Sequence, residues 1–517
     1  HGLYLFIDPH QDVWSRFSGG DGAPGWTFEL LGMDLTRFHA SGAAFLHQEH
    51  GDPPARMRWV SNYGKFACAT LFTLFFGGST FAPHTQIEGR PAQDFLQEHY
   101  LNAVQQVAYR LKDFPHVLGY DTLNEPAPGY IGCSDLNQVG AQAASTGALP
   151  SLYQGMLLAA GIPQQVRYKT SQLSPFARRV RLNPQGLSVW KPGAEPIWRR
   201  HGVWDVDPDG NPRLLAPAYF RTVDGQPVAF GQDFLTPFIH KYARAIRQAD
   251  SEALIFISPS PPEINYSSGE FTLESPQGYV YAPHWYDGIT LYFQQYLPWL
   301  GIDTSRQPPH FVLGRKNRRK VFASAIGRLA AQAQQLGGIP TIIGETGIPF
   351  NLDDQKAYRD GDFSKQIQAI DDVIQALEAN LVNFTLWNYT ADNSNAHGDQ
   401  WCGEDLSIFS NDQKTGSESL DDGGRALPAV VRPYAHKTAG EPLRQGFDLH
   451  TRVFEYSFRQ PLQTDHPTEI FVPTYQYPHG CQVQVSDGTF EIDQASQTLR
   501  YWHTSQQAVH YLRIFPG

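Results

Sequence analysis

Six short apolar runs, at residues 3–7, 117–123, 254–257, 279–282, 341–344 and 384–387, recur along this chain with helix-like stretches among them, and that alternation leaves few folds open. A continuous apolar run is what a strand buried on both faces requires, and strands alternating with helices imply βα units in a parallel sheet. Helical spacing is predicted over residues 62–76, 93–112, 234–248, 319–336 and 363–379. In the second of these Phe95, Leu96, Tyr100, Val104, Val107, Ala108 and Leu111 fall near one face. The expected fold is α/β, a (β/α)8 TIM barrel; because six strands are counted where closure needs eight, the first two βα units are expected to be missing. The chain also opens inside the 3–7 run with no initiator Met or leader-like segment before it, so it reads as the remainder of a longer one.

Two of the runs stop on a glutamate: Asp121-Thr-Leu-Asn-Glu-Pro126 and Thr341-Ile-Ile-Gly-Glu-Thr346. Carboxylates at the C-terminal ends of parallel strands sit where barrel enzymes place their chemistry. A pair of them is what glycosidic cleavage uses, one to protonate the leaving oxygen and one to act beneath the anomeric carbon. Glu125 and Glu345 are the predicted catalytic residues. Asn124 is placed to donate to a sugar 2-hydroxyl. His284 and Tyr286, two positions apart after the fourth run, share a face if extended geometry persists, and a tyrosine hydroxyl beside a carboxylate can orient it. His10 and Asp12, in Asp8-Pro-His-Gln-Asp12, and Trp387 occupy the same kind of strand-end position, the tryptophan suited to stacking under a sugar.

Other features narrow the classes. Net charge is -11, from 40 Lys+Arg against 51 Asp+Glu, which argues against a nucleic-acid partner. The most apolar run, residues 66–76, is too short to be a transmembrane segment. Cys68, Cys133, Cys402 and Cys481 show no metal-ligand spacing, so no metal is expected, and nothing demands a disulfide. The histidines of His47-Gln-Glu-His50 read as a solvated loop. Leu71, Phe72, Leu74, Phe75, Phe76 and Phe81 form an apolar cluster that belongs to the core rather than to a greasy cleft. Residues 130–232, rich in Pro, Gly, Trp and Arg without a sustained period, read as an elaborated loop over the active-site face. Past Arg432-Pro-Tyr434, short β-rich runs alternate with turns, indicating an antiparallel β-sandwich. The expected domains are a catalytic barrel at 1–425, carrying the insertion at about 130–232, and the sandwich at 430–517.

With these residues in place, the chain resembles glycoside hydrolase family 5, which pairs a strand-four Asn-Glu-Pro acid/base with a strand-seven glutamate nucleophile. Asn124, Glu125, His284, Tyr286, Glu345 and Trp387 match functional positions of that family. The stretch Asp8-Pro-His-Gln-Asp-Val-Trp-Ser-Arg-Phe-Ser-Gly-Gly-Asp-Gly-Ala-Pro-Gly-Trp26 resembles its endoglycoceramidase-related branch, particularly the fungal-type glucosylceramidases and steryl β-glucosidases. The resemblance implies a retaining β-glucosidase acting on glucosylceramide or steryl β-glucoside with no cofactor. It also implies a glycolipid substrate met by transient contact with a membrane surface, and a cytoplasmic location. The arginine that steadies the nucleophile in that family belongs to the two strands counted as missing. The alternatives are an endoglycoceramidase that releases an intact oligosaccharide from ceramide, and a non-catalytic glycan- or lipid-binding barrel.

Overall fold

The computed structural model describes residues 2–51, 58–140, 146–170, 176–261, 264, 271–303, 310–460, 466–504 and 506–517. The chain divides into two compact units, His1–Pro283 with Gln334–Pro340, and His284–Ala333 with Thr341–Gly517.

The first unit is built on a four-stranded parallel sheet in the order Leu5–Ile7, Val117–Asp121, Leu254–Ile257, Tyr279–Tyr281. Ile7 and Ile255 both pair with Tyr120, and Ile257 pairs with Tyr281. The strands are short because each is followed by loop-forming residues; Ile255, Phe256, Ile257 and Tyr279–Tyr281 are buried as the apolar runs predict, whereas Leu5 and Leu118 are exposed. Gly119 is required by close approach: a Cβ there would lie 1.9 Å from the Leu254 carbonyl oxygen of the neighbouring strand.

Helices Phe66–Phe81, Ala92–Leu111 and Thr236–Ala249 also belong to this unit. The first is apolar all round and accordingly buried, with Phe75 meeting Phe238 at 5.1 Å and Phe72 meeting Trp14 at 5.2 Å. The phenylalanine cluster is core. It starts later than the predicted 62–76, because Lys65 is extended and separates it from a 3₁₀ turn at Trp59–Gly64.

The 130–232 region is not an elaborated loop. Its described residues form a three-stranded antiparallel sheet (Gly147–Leu149, Gln164–Lys169, Arg178–Leu182), helices Leu152–Ala159 and Ile197–Arg200, and two small hairpins. Phe220 and Tyr130 stack as buried rings with Trp198 edge-on to both, and Trp198 Nε1 donates to Thr70 Oγ1 at 3.1 Å. His47–His50 is a short, mostly exposed helical turn instead of a loop.

The second unit carries a parallel pair, Ile342–Thr346 with Asn383–Leu386, and helices Arg315–Gln335, Leu352–Asp360 and Ser364–Glu378. Phe322, Ile326, Ile343, Ile370, Ile374 and Leu377 form its core. Beyond Arg432 come two four-stranded antiparallel sheets. One runs Tyr434–Lys437, Thr468–Phe471, Thr498–Trp502, Thr489–Asp493; the other runs Glu441–Asp448, Val453–Arg459, Val509–Pro516, Cys481–Val485. Phe454, Tyr456 and Phe458 alternate inward against Ile470, Leu499, Tyr501 and Leu512, the period-two pattern of a half-buried strand. Cys68, Cys133 and Cys481 are free thiols. Among the described residues no helix is long and apolar enough to cross a membrane.

Candidate active site

In the first unit the predicted residues gather beyond the ends of two adjacent strands. Leu5–Ile7 delivers Asp8-Pro-His-Gln-Asp12, and Val117–Asp121 delivers Asn124 and Glu125. His10 lies between two carboxylates, Nδ1 at 3.5 Å from Asp8 Oδ2 and Nε2 at 3.2 Å from Asp12 Oδ2. The two segments are stitched by Gln11, whose Nε2 donates to the carbonyls of Asn124 (2.9 Å) and Glu125 (3.2 Å). Asn124 Nδ2 donates back to the Gln11 carbonyl at 3.0 Å. The Glu125 amide donates to Ser258 Oγ at 3.2 Å, just past the third strand. Glu125 has φ +39°, a conformation that costs a non-glycine residue on the order of 1–3 kcal/mol and persists only where neighbours enforce it. Gln11 and Ser258 supply that enforcement.

The glycines of the long motif have a mechanical reason. Asp21 Oδ1 accepts from the Asp12 amide at 3.0 Å, and the return of the chain brings Gly20 so close that a Cβ would lie 1.9 Å from the Asp12 carbonyl oxygen. His10, Asp12 and Asp21 thereby place ligand-type atoms within 4.8 Å of one another. The internal hydrogen bonds to Asp12 Oδ2 and Asp21 Oδ1 already use two carboxylate oxygens of that group.

Burial pushes the Asp12 carboxyl up from 3.8 to about 7, against the lowering pull of His10 and with Asp21 and Glu125 adding to the rise. The unfolded chain ionises this group first, so the native state holds the extra proton between those values. The stability that this protonation contributes is fully present below 3.8 and is lost as pH rises through about 7. Wild type is therefore expected to lose more Tm than Asp12→Asn between about pH 5 and about pH 8, measured by calorimetry in matched buffers. Parallel pH profiles for the two proteins would refute the assignment.

In the second unit Glu345 lies near the C-terminal end of the Ile342–Thr346 strand and is largely buried. Tyr286 OH donates to Glu345 Oε2 at 3.0 Å, and His284 Nδ1 stands 3.4 Å from the same oxygen. His284 pairs with Glu345 in a parallel bridge and the Trp285 amide donates to the Glu345 carbonyl at 3.0 Å, so the extended geometry does persist and puts both side chains on one face. Trp387 follows the neighbouring strand, half-buried; its amide donates to the Thr346 carbonyl at 2.8 Å and a cis peptide joins it to Asn388.

A buried ion network stands behind Tyr286. Asp287 caps helix Gly288–Phe293 and accepts from Arg318 Nη2 at 2.8 Å, while Arg318 Nη1 reaches Asp372 at 2.5 Å. Arg318 is 1% exposed and Asp372 fully buried. Arg315, Arg319 and Tyr296 also bond Asp372, and Trp285 packs edge-on against Phe322 at 4.9 Å. The residues on both sides of Tyr286 are thus tied to the Arg315–Gln335 helix.

Gln11, Ser258, Tyr63 and Arg318 surround the candidate residues and carry no mark in the sequence reading. Tyr63 is buried, its hydroxyl has no hydrogen-bond partner among the described residues, and burial raises its pKa well above 10, with Asp12 and Glu125 adding. Gln11 lay inside a motif already singled out; the others carry no local signal. One Asn124 amide N–H is taken by the Gln11 carbonyl, and Oδ1 is buried without a hydrogen-bond partner among the described residues.

The glycoside hydrolase family 5 C-terminal domain matches residues 432–514. A glucosylceramidase of Rhizopus delemar is 36% identical over 96% of this chain and 77% of its own length. An ergosteryl-beta-glucosidase of Saccharomyces cerevisiae is 30% identical over 97% of this chain and 80% of its own. The crystal structure of Cryptococcus neoformans sterylglucosidase 1 matches with a TM-score of 0.90 at 31% identity, covering 100% of this chain and 81% of that one. Endo-glycoceramidase II from Rhodococcus sp., 16% identical at a TM-score of 0.52 over 100% of this chain and 80% of that one, shares the fold. The parallel strands accordingly belong to a TIM-barrel fold followed by a C-terminal antiparallel domain. The chain is a glycoside hydrolase and belongs to family 5, in the endoglycoceramidase-related branch with the fungal glucosylceramidases and steryl β-glucosidases.

Proposed function

We propose that the protein is a retaining β-glucosidase of glycolipids, with Glu345 as nucleophile and Glu125 as acid/base. The observation that carries this reading is the Glu345 carboxylate at its strand end with a tyrosine hydroxyl and a histidine nitrogen on one oxygen, an arrangement that orients it for attack. Glu345 attacks the anomeric carbon as Glu125 delivers a proton to the glycosidic oxygen and the lipid alcohol leaves. Glu125 then takes a proton from water, which hydrolyses the glycosyl ester and frees Glu345. No step calls on a metal or organic cofactor. His10, Asp12 and Trp387 bind the sugar in this scheme. Asn124 hydrogen-bonds the sugar 2-hydroxyl in this scheme. The catalytic domain comprises 1–425, with the insertion at about 130–232, and the sandwich 430–517.

The aglycone is a ceramide or a sterol, in keeping with relatives named glucosylceramidase and ergosteryl-beta-glucosidase. The buried phenylalanines at 71–81 lend no support to that lipid class. Purified protein offered glucosylceramide, steryl β-glucoside and a longer glycosphingolipid should release glucose from the first two, and proton NMR of fresh product should show the β-anomer first. Release of an intact oligosaccharide from the third would replace the exo reading with an endoglycoceramidase. Faster hydrolysis of cellulose oligomers than of any glycolipid would end the lipid assignment.

A further inference from the structure

Between Tyr286 and the helix Arg315–Gln335 the chain forms a two-stranded antiparallel hairpin, Leu300–Asp303 with His310–Leu313. Its cross-strand pairs are Leu300–Leu313, Gly301–Val312 and Ile302–Phe311. Paired residues project to the same side of a ribbon and alternate along it. One side therefore carries Leu300, Ile302, Phe311 and Leu313, and the other Gly301 and Val312 together with the fourth pair, Asp303 and His310. The Gly301 side lies against the helix: a Cβ there would stand 3.3 Å from Arg318 Cα. On that apolar side Leu300 and Ile302 are half-buried, whereas Phe311 is 63% and Leu313 65% exposed, with Trp299 beside them at 55%.

Charge says what such a face fits. From Gly288 to Lys320 the sequence has six Lys or Arg and one acid, Asp303, within a chain of net charge -11. Arg315, Arg318 and Arg319 are engaged with Asp372. Lys316 and Lys320, one helical turn apart and exposed, make no ion pair among the described residues. An apolar face with flanking lysines is the composition of an interfacial anchor, the aliphatic and aromatic groups entering the acyl boundary and the lysines meeting anionic headgroups. Repulsion from acids elsewhere on the molecule is screened beyond about 8 Å at physiological ionic strength. The hairpin also lies in the same connection as His284 and Tyr286, the pair that holds Glu345.

We propose that the Leu300–Asp303/His310–Leu313 hairpin, with Lys316 and Lys320, docks the protein onto an anionic lipid bilayer and so brings the site to membrane-embedded substrate. The inference rests on the glycolipid reading, and its test separates the two. Full-length protein is compared with Phe311→Ser/Leu313→Ser and Lys316→Glu/Lys320→Glu in flotation with vesicles of phosphatidylcholine alone and of phosphatidylcholine with phosphatidylserine. Wild type should bind the mixed vesicles preferentially. Loss of two lysine charges is worth roughly 30-fold, so reversing both should weaken that binding by at least that much, and the apolar double variant should lose it as well. Hydrolysis of glucosylceramide in the mixed vesicles should fall in step. Hydrolysis of a soluble aryl β-glucoside and of detergent-dispersed glucosylceramide should stay at wild-type rates. Unchanged vesicle binding in both variants would overturn the docking surface while leaving the glycolipid reading intact. A wild-type dimer that Phe311→Ser/Leu313→Ser dissociates, without vesicle binding, would assign the face to a second copy of the chain and equally overturn it. Failure to hydrolyse detergent-dispersed glycolipid would strike at the function itself.

Discussion

Glu345→Gln is expected to abolish turnover of glycolipid and aryl β-glucoside alike, because the amide keeps the shape and the Tyr286 contact but cannot form the glycosyl ester. Loss of a covalent nucleophile should lower kcat by at least about 10³-fold, more than loss of one hydrogen bond or one binding contact would. The companion variant gives the sign of the assignment. Glu125→Ala removes the proton donor, so it should cost roughly 10² to 10⁴-fold on a lipid glucoside, whose leaving alcohol needs protonation. It should cost far less on a dinitrophenyl glucoside, whose leaving group needs none, and added azide should then rescue turnover as a β-glucosyl azide. Near-normal kcat in Glu345→Gln, or equal losses on both substrates in Glu125→Ala, would reverse or remove the two roles. Circular dichroism and Tm matching wild type would show that the fold is intact.

The legibility of this chain follows from how local each signal is. The six parallel strands stood out because a strand covered on both faces must be apolar throughout, and Leu254–Ile257 is found where its run predicts. Glu125 and Glu345 were readable for the same reason: each breaks an apolar run at its C-terminal end. The 130–232 insertion was not readable. Its core is a set of long-range contacts, such as Trp198 to Thr70 and Arg37 to the Ser188 carbonyl, and its strands are short and polar enough to show no period. In the sandwich, Glu441–Asp448 gives no strand signal because Glu-Pro-Leu-Arg-Gln-Gly-Phe-Asp lacks alternation, and Thr489–Asp493 gives little because it is a mostly exposed edge. Gln11 and Ser258 escaped because a side chain bonding backbone more than 100 residues away leaves no mark on its neighbours in sequence.

Arg318→Leu should be the most destabilising single change at this site and should also slow the chemistry. The guanidinium is buried between Asp287 and Asp372 and lies 4.4 Å from the Phe322 ring centroid, so its removal strands two buried carboxylates in part. Breaking a buried pair from one side costs about 3–5 kcal/mol, a fall in Tm on the order of 10 °C for a domain of this size. Asp372 keeps Arg315, Arg319 and Tyr296, whereas Asp287 is left with its cap bonds to residues 289 and 290. The loss should therefore concentrate on the Asp287 side, adjoining Tyr286. Assayed well below the variant's Tm, kcat should drop with little change in KM, since Tyr286 orients Glu345 rather than binding the aglycone. Arg318→Lys should restore part of the stability and little of the rate, because one ammonium cannot hold two carboxylates in the fixed fork of a guanidinium. A variant with wild-type Tm and kcat would show that the nucleophile's partner is positioned without this network.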